Sequence, residues 1–132
     1  MRARLSLCLL VLVAALSACT AVTTAGGRHL RVTSEAFRSY VESVFREQNR
    51  VETKLSFALA GSALSDADRT ALQEADTALL DACAGLNEIA TSRENQERMG
   101  KLRQLRAARR APVCEKTTER ARDVLARHGP KD

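Results

Sequence analysis

Four cysteines, two histidines and one run of arginines are the side chains of this 132-residue sequence best suited to chemistry. A thiol can be acylated, paired in a disulfide or used as a metal ligand. A nucleophile needs an activating base and a group that orients the base. His29 lies in a small polar segment and His128 at the end of the last predicted helix, so neither is set beside a nucleophile. There is no CxxC and no HExxH spacing. Asp66, Asp68, Glu74, Asp76 and Asp81 read as the solvated first half of a helix. Nothing points to a carboxylate pair for glycoside cleavage, and no aromatic sugar platform accompanies these acids. The sequence therefore points to no enzyme and no metal.

The first cysteines belong to an address. Met1 to Arg4 is a basic head, and the uncharged run Leu5 to Leu16 follows. That run is too short to cross a bilayer core, which needs about 20 residues. It fits the n-region and h-region of a secretory signal. The run closes on Leu16-Ser17-Ala18-Cys19. These residues resemble the signal peptide of a bacterial lipoprotein, whose lipobox reads Leu-(Ala/Ser)-(Gly/Ala)-Cys. The resemblance covers residues 1–19. It implies that 1–18 is a cleaved signal peptide. It also implies that Cys19 becomes the first mature residue, with diacylglycerol on its thiol and an N-acyl chain such as palmitate. Thr20, where an Asp would signal retention, implies the outer membrane with the domain facing the periplasm. The competing reading is an ordinary cleaved signal with a chance cysteine at its end. Several acyl chains, at about 0.8 kcal/mol per buried methylene, hold a protein firmly to a membrane. No cofactor is expected beyond this covalent lipid.

Cys8 leaves with the signal, so Cys83 and Cys114 remain. In an oxidising periplasm such a pair is expected to form a disulfide. The chain-entropy model assigns a loop of this length about 3.5 kcal/mol. Two free core thiols, or a metal site with His128, are the rival readings. The support matters because 18 of the 45 apolar residues from Cys19 onward are Ala. Such a core buries little area per residue.

The elements that must position these groups read as helices. Residues 19–33 are a lipidated N-terminus and a small, polar, Gly-containing tether, and 34–132 a helical bundle domain. Fully extended, the tether spans roughly 45–50 Å. Helix one should start near Thr33 or Ser34 with Glu35 in its first turn. Phe37, Val41, Val44, Gln48, Val51, Leu55 and Ala58 alternate steps of four and three, joined by Tyr40, Phe45 and Leu59. Gly61 is a natural stop. Ser65 and Asp68 announce helix two in a capping-box arrangement, and Leu72, Ala75, Leu79, Ala82, Leu86 and Ile89 continue its apolar rhythm. A disulfide needs level cysteines in an antiparallel hairpin, and the midpoint of 83 and 114 falls at 98–99. The turn is therefore expected near Met99-Gly100, with a break at Thr91-Ser92 as the alternative. Helix three runs from Lys101 to Arg127, kinked or divided at Pro112, with Cys114, Thr117, Ala121, Val124 and His128 inward. The predicted fold is all-α: a small antiparallel bundle of three long helices, or four if the last divides.

The formal charge of +5 hides a segregation. Residues 34–90 carry 5 basic and 10 acidic side chains, whereas 91–132 carry 12 basic and 6 acidic. On one helix Arg103, Arg106 and Arg110 form a stripe, with Arg109 beside it. Cations near a helix C-terminus are one explanation. An anion-facing or partner-facing surface is the other. Export argues against nucleic acid. The leading expectation is a non-catalytic, outer-membrane-anchored lipoprotein that binds or scaffolds an envelope protein partner. In size, helical class, lipidation and cysteine pairing it is similar to the all-helical pilotins of type II secretion, small lipoproteins that cradle a secretin helix. A binding module for an envelope polyanion through residues 101–110 is the alternative, and an inhibitor of a periplasmic enzyme a further one. Helix one could also pair with a second copy in a homo-oligomer.

Overall fold

A computed structural model describes residues 21–61 and 63–130. The segment expected to be a signal peptide, residues 1–18, and Cys19 lie outside the described residues. The chain forms strands β1 (Ala21–Thr23) and β2 (His29–Arg31), then helices α1 (Glu35–Ala60), α2 (Asp66–Glu94), α3 (Lys101–Ala108) and α4 (Ala111–His128). This is the expected all-α bundle of three long helices, with the third bent into α3 and α4.

The stretch expected to be a tether is a hairpin. Ala21 pairs with Arg31, Val22 with Leu30 and Thr23 with His29, antiparallel. The Gly pair read as flexible closes its turn: Gly27 takes φ +80°, which only glycine adopts freely. The buried Thr24 organises the loop, since its Oγ1 accepts from the Arg28 N–H at 3.1 Å. A lone two-stranded hairpin is marginal in water. This one is held because Val22, Leu30 and Val32 pack on the helical core.

Helix α1 starts where Ser34 Oγ accepts from the Phe37 N–H. Its predicted face is the buried one: Phe37, Val44, Gln48, Val51, Leu55 and Ala58 are in the core, with Tyr40 beside them. Gly61 ends the helix in extended geometry at φ −70°, so its glycine freedom is not used. The orphan carbonyls there are taken by Arg69, whose guanidinium donates to Leu59 O and Gly61 O at 2.8 and 3.0 Å. Ser65 caps α2 by accepting from the Asp68 N–H, and its hydroxyl donates to Asp68 Oδ2 at 2.6 Å.

Helix α2 runs through Thr91-Ser92 and stops at Glu94, before the expected Met99-Gly100. Gln96 enters the left-handed region at φ 58°, and the Glu97 N–H reaches back to Ser92 O at 2.8 Å. This closes the helix end without a glycine. Gly100 instead caps α3 at φ −58°, so it is not the turning residue. The levelling argument nonetheless holds, because the 95–100 connection is centred within about one residue of the midpoint of the cysteines. Cys83 and Cys114 are joined, with Cα atoms 4.7 Å apart and both side chains fully buried. The bend falls at Arg109 and Arg110, and Pro112 sits in the first turn of α4, where its missing N–H costs nothing. On α4, Thr118 rather than Thr117 is fully inward, its hydroxyl donating to Cys114 O.

Candidate functional site

The structure gathers its functional possibilities at one end of the bundle. Helix α3 does not lie flush along α1. It closes on α2, and Gly85 permits this approach: a Cβ there would stand 3.2 Å from Ala107 Cα. Arg103 adds an ion pair to Glu88. The offset leaves a cleft of about 390 Å³ between α1, α2 and α3. Its floor and walls are Phe37, Val41 and Phe45 from α1, Leu86 and Ile89 from α2, and Leu105 from α3. Val32, at the exit of the hairpin, closes one side. The polar rim consists of Arg38, Glu42, Arg93, Lys101 and Gln104. A concave apolar site with a few polar groups at its edge has the anatomy of a binding pocket. Arg38 is held by Glu35, so Arg93 and Lys101 face Glu42 across the rim, a balance that favours an occupant carrying negative charge beside its apolar surface.

Cys83 and Cys114 form a disulfide and hold no metal. Among the described residues no group of three or more His, Cys, Asp or Glu is placed to hold a metal ion. The four arginines do not form one straight stripe, because the bend interrupts it. Arg103 and Arg106 stand on α3, and Arg109 and Arg110 in the elbow. All four are exposed.

Two polar constellations test the catalytic reading. Asp68 receives the Ser65 hydroxyl on one oxygen, and its other oxygen lies 2.8 Å from His128 Nδ1. The carboxylate thus stands between hydroxyl and imidazole. A triad requires the imidazole in the middle, so this trio clasps the end of α4 to the start of α2. Glu115 Oε2 accepts from the Ala25 N–H at 2.9 Å and from the Tyr40 hydroxyl at 2.7 Å. Burial, then the Glu115 hydrogen bond, pushes the Tyr40 phenol far above its ordinary range, so it remains a donor. This pair of bonds pins the hairpin tip to α1 and α4.

Gln48 is fully buried in the middle of α1. Its amide donates to Glu52, and its Oε1 has no partner. Burial, then the charge of Asp76, raises the Glu52 carboxyl above its usual value.

Compared with known proteins, the chain matches no family model, no curated protein and no solved structure. The site rests on geometry alone. The cleft itself was not read from the sequence. Its one signal was the width of the apolar face of α1: Val41 and Phe45 widen it beyond what a narrow two-helix seam requires.

Proposed function

We propose that this protein is a non-catalytic envelope lipoprotein, held through Cys19 at the outer membrane and facing the periplasm. Its folded domain receives an amphipathic helix of an envelope protein partner. The observation that carries this reading is the cleft, with its apolar floor and cationic rim. An apolar helix face is recognised by such a groove through side chains one turn apart. Acidic residues flanking that face would meet Arg93 and Lys101.

The test is site-specific photo-crosslinking in the native envelope from positions 41 and 105. The expected product is one protein adduct, mapping to an amphipathic helix with acidic flanks and lost in a Val41→Glu background. A probe at Leu80, exposed on α2, should give none. Equal yield from Leu80, or no protein adduct from the cleft, overturns the reading. Mass measurement of the mature N-terminus tests the anchor separately: a Cys19 without acyl chains removes the localisation.

A further inference from the structure

Residues 98–114 contain six cations and no carboxylate. Arg98, Lys101, Arg103, Arg106, Arg109 and Arg110 fall on the loop before α3, on α3 itself and in the elbow, and all are exposed. Leu102, 80% exposed, lies one turn from Arg106 on the side of α3 away from the buried Ala107. Val113, 49% exposed, follows just past the elbow. Isolated exposed leucines are ordinary. One embedded in so basic a strip, in which Arg103 is held by Glu88 and the other cations outnumber the neighbouring Glu97, has the make-up of an interfacial element, where apolar groups enter the headgroup layer and cations meet phosphates.

The place where the described chain begins supplies the second, independent observation. Only Thr20 stands between Cys19 and Ala21, a reach of at most about 7 Å. Ala21 is paired with Arg31, and the next residue, Val32, lines the cleft together with Lys101 and Gln104. The tip of the hairpin lies against Pro112, Val113 and Lys116. The hairpin thus packs on the start of α1 with its tip at the elbow, at the same end of the bundle as α3, and the short reach keeps Cys19 at that end. It cannot reach the opposite end, because α1 alone, at 26 residues, is about 39 Å long. That far end carries Asp66, Asp68, Glu74 and Asp76 on α2. The charge asymmetry and the exit of the chain point the same way.

We propose that the 98–114 strip is a membrane-contact surface. It lies on the anionic phospholipid leaflet that holds the acyl anchor. The inference rests on the anchored reading above for its orientation, and on the strip alone for its chemistry. The intended occupant is a phospholipid headgroup layer. Lipopolysaccharide phosphate is the alternative that the experiment separates.

The test uses the mature chain, residues 19–132, carrying Cys19→Ser, so that the strip is read without lipid on the protein. Among the described residues the fully buried apolar side chains all fall between Phe37 and Ala121, inside this chain. Co-sedimentation is measured with phosphatidylcholine vesicles, with phosphatidylcholine containing phosphatidylglycerol, and with lipopolysaccharide micelles. Binding is expected to the phosphatidylglycerol vesicles and to collapse at high salt. Each cation near the surface contributes roughly fivefold to partitioning. The combined Arg98→Gln, Lys101→Gln, Arg106→Gln and Arg110→Gln variant should therefore lose on the order of several hundredfold. Leu102→Ser should lose roughly three- to tenfold. A control with Arg46→Gln, Lys54→Gln and Arg127→Gln should bind as before, and circular dichroism should show every variant folded. Equal binding to neutral vesicles, retention in the quadruple variant, or binding to lipopolysaccharide alone overturns the proposal. Failure here leaves acylation of Cys19 untouched, and an unacylated native N-terminus leaves the vesicle result standing.

Discussion

Helices α2 and α3 begin in opposite ways. Ser65 caps α2 with its side chain, and Asp66 and Asp68 place negative charge in the first turn, where the helix dipole favours it. Helix α3 begins at Gly100 without a side-chain cap, and its first residue, Lys101, sets a cation at the positive end of the dipole. Length adds to the difference. Helix α2 has 29 residues and buries Leu72, Leu79, Cys83, Leu86 and Ile89, whereas α3 has eight and buries only Ala107. An isolated eight-residue helix is well below the length that is stable in water. The comparison teaches that α2 is specified locally and by packing, whereas α3 is held from outside. Its supports are the Gly85–Ala107 approach, the Arg103–Glu88 pair and the disulfide just beyond the elbow. Locally weak elements are the ones that open first, so of the walls of the cleft α3 is the one expected to exchange first.

The strongest way to break this contrast is to remove the disulfide. Cys83→Ala with Cys114→Ala should lower stability by about 3–4 kcal/mol and the melting temperature by on the order of 10 °C or more. Amide exchange in 101–108 should rise before that in 66–94. A next effect comes from Gly85→Val, which forces a branched side chain against Ala107. Overpacking of this kind costs about 1–3 kcal/mol, and crosslinking yield from the cleft should change with it. The caps then sharpen the comparison in both directions. Ser65→Ala should cost about 1 kcal/mol in chemical denaturation. Gly100→Asp should gain about 0.5–1 kcal/mol, since a Cβ there meets nothing within 4 Å and the backbone already suits a cap.

The smallest effect is one of pH. The carboxyl of Glu52 is raised in the folded state, so its ionised form opposes folding. The stability it contributes is complete below its unfolded value and is lost as pH rises through the folded one. Glu52→Gln should therefore melt slightly higher than the parent at pH 7, and the difference should vanish in acid, where Glu52 is protonated in both states. An equal gain at all pH values would assign the effect to packing.

Legibility in the sequence followed the same division. The inward line of α1 and the rhythm of α2 were readable because long helices repeat their pattern many times. The elbow was readable because Pro112 cannot sit inside a helix. The hairpin was not, because three-residue strands repeat nothing and Gly26-Gly27 signals a turn and a tether equally well. The stop at Glu94 was missed because Gln96, an unusual residue for the left-handed region, replaces the expected glycine. The cleft left only the faint signal of Val41 and Phe45 widening the apolar face of α1, because no residue in it is unusual. It exists because α3 sits close to α2 and away from α1.

The bond between Cys83 and Cys114 also has a topological result. It turns the chain between them into a covalent ring, spliced to the core at one point. The whole of α3, the 95–100 connection and most of the basic strip hang within that ring. The chain on either side of the connection therefore stays joined even where the backbone between is cut, because the bond does not open with it. A protease that cuts between Asn95 and Gly100 should accordingly yield two polypeptides that migrate together until a reductant is added.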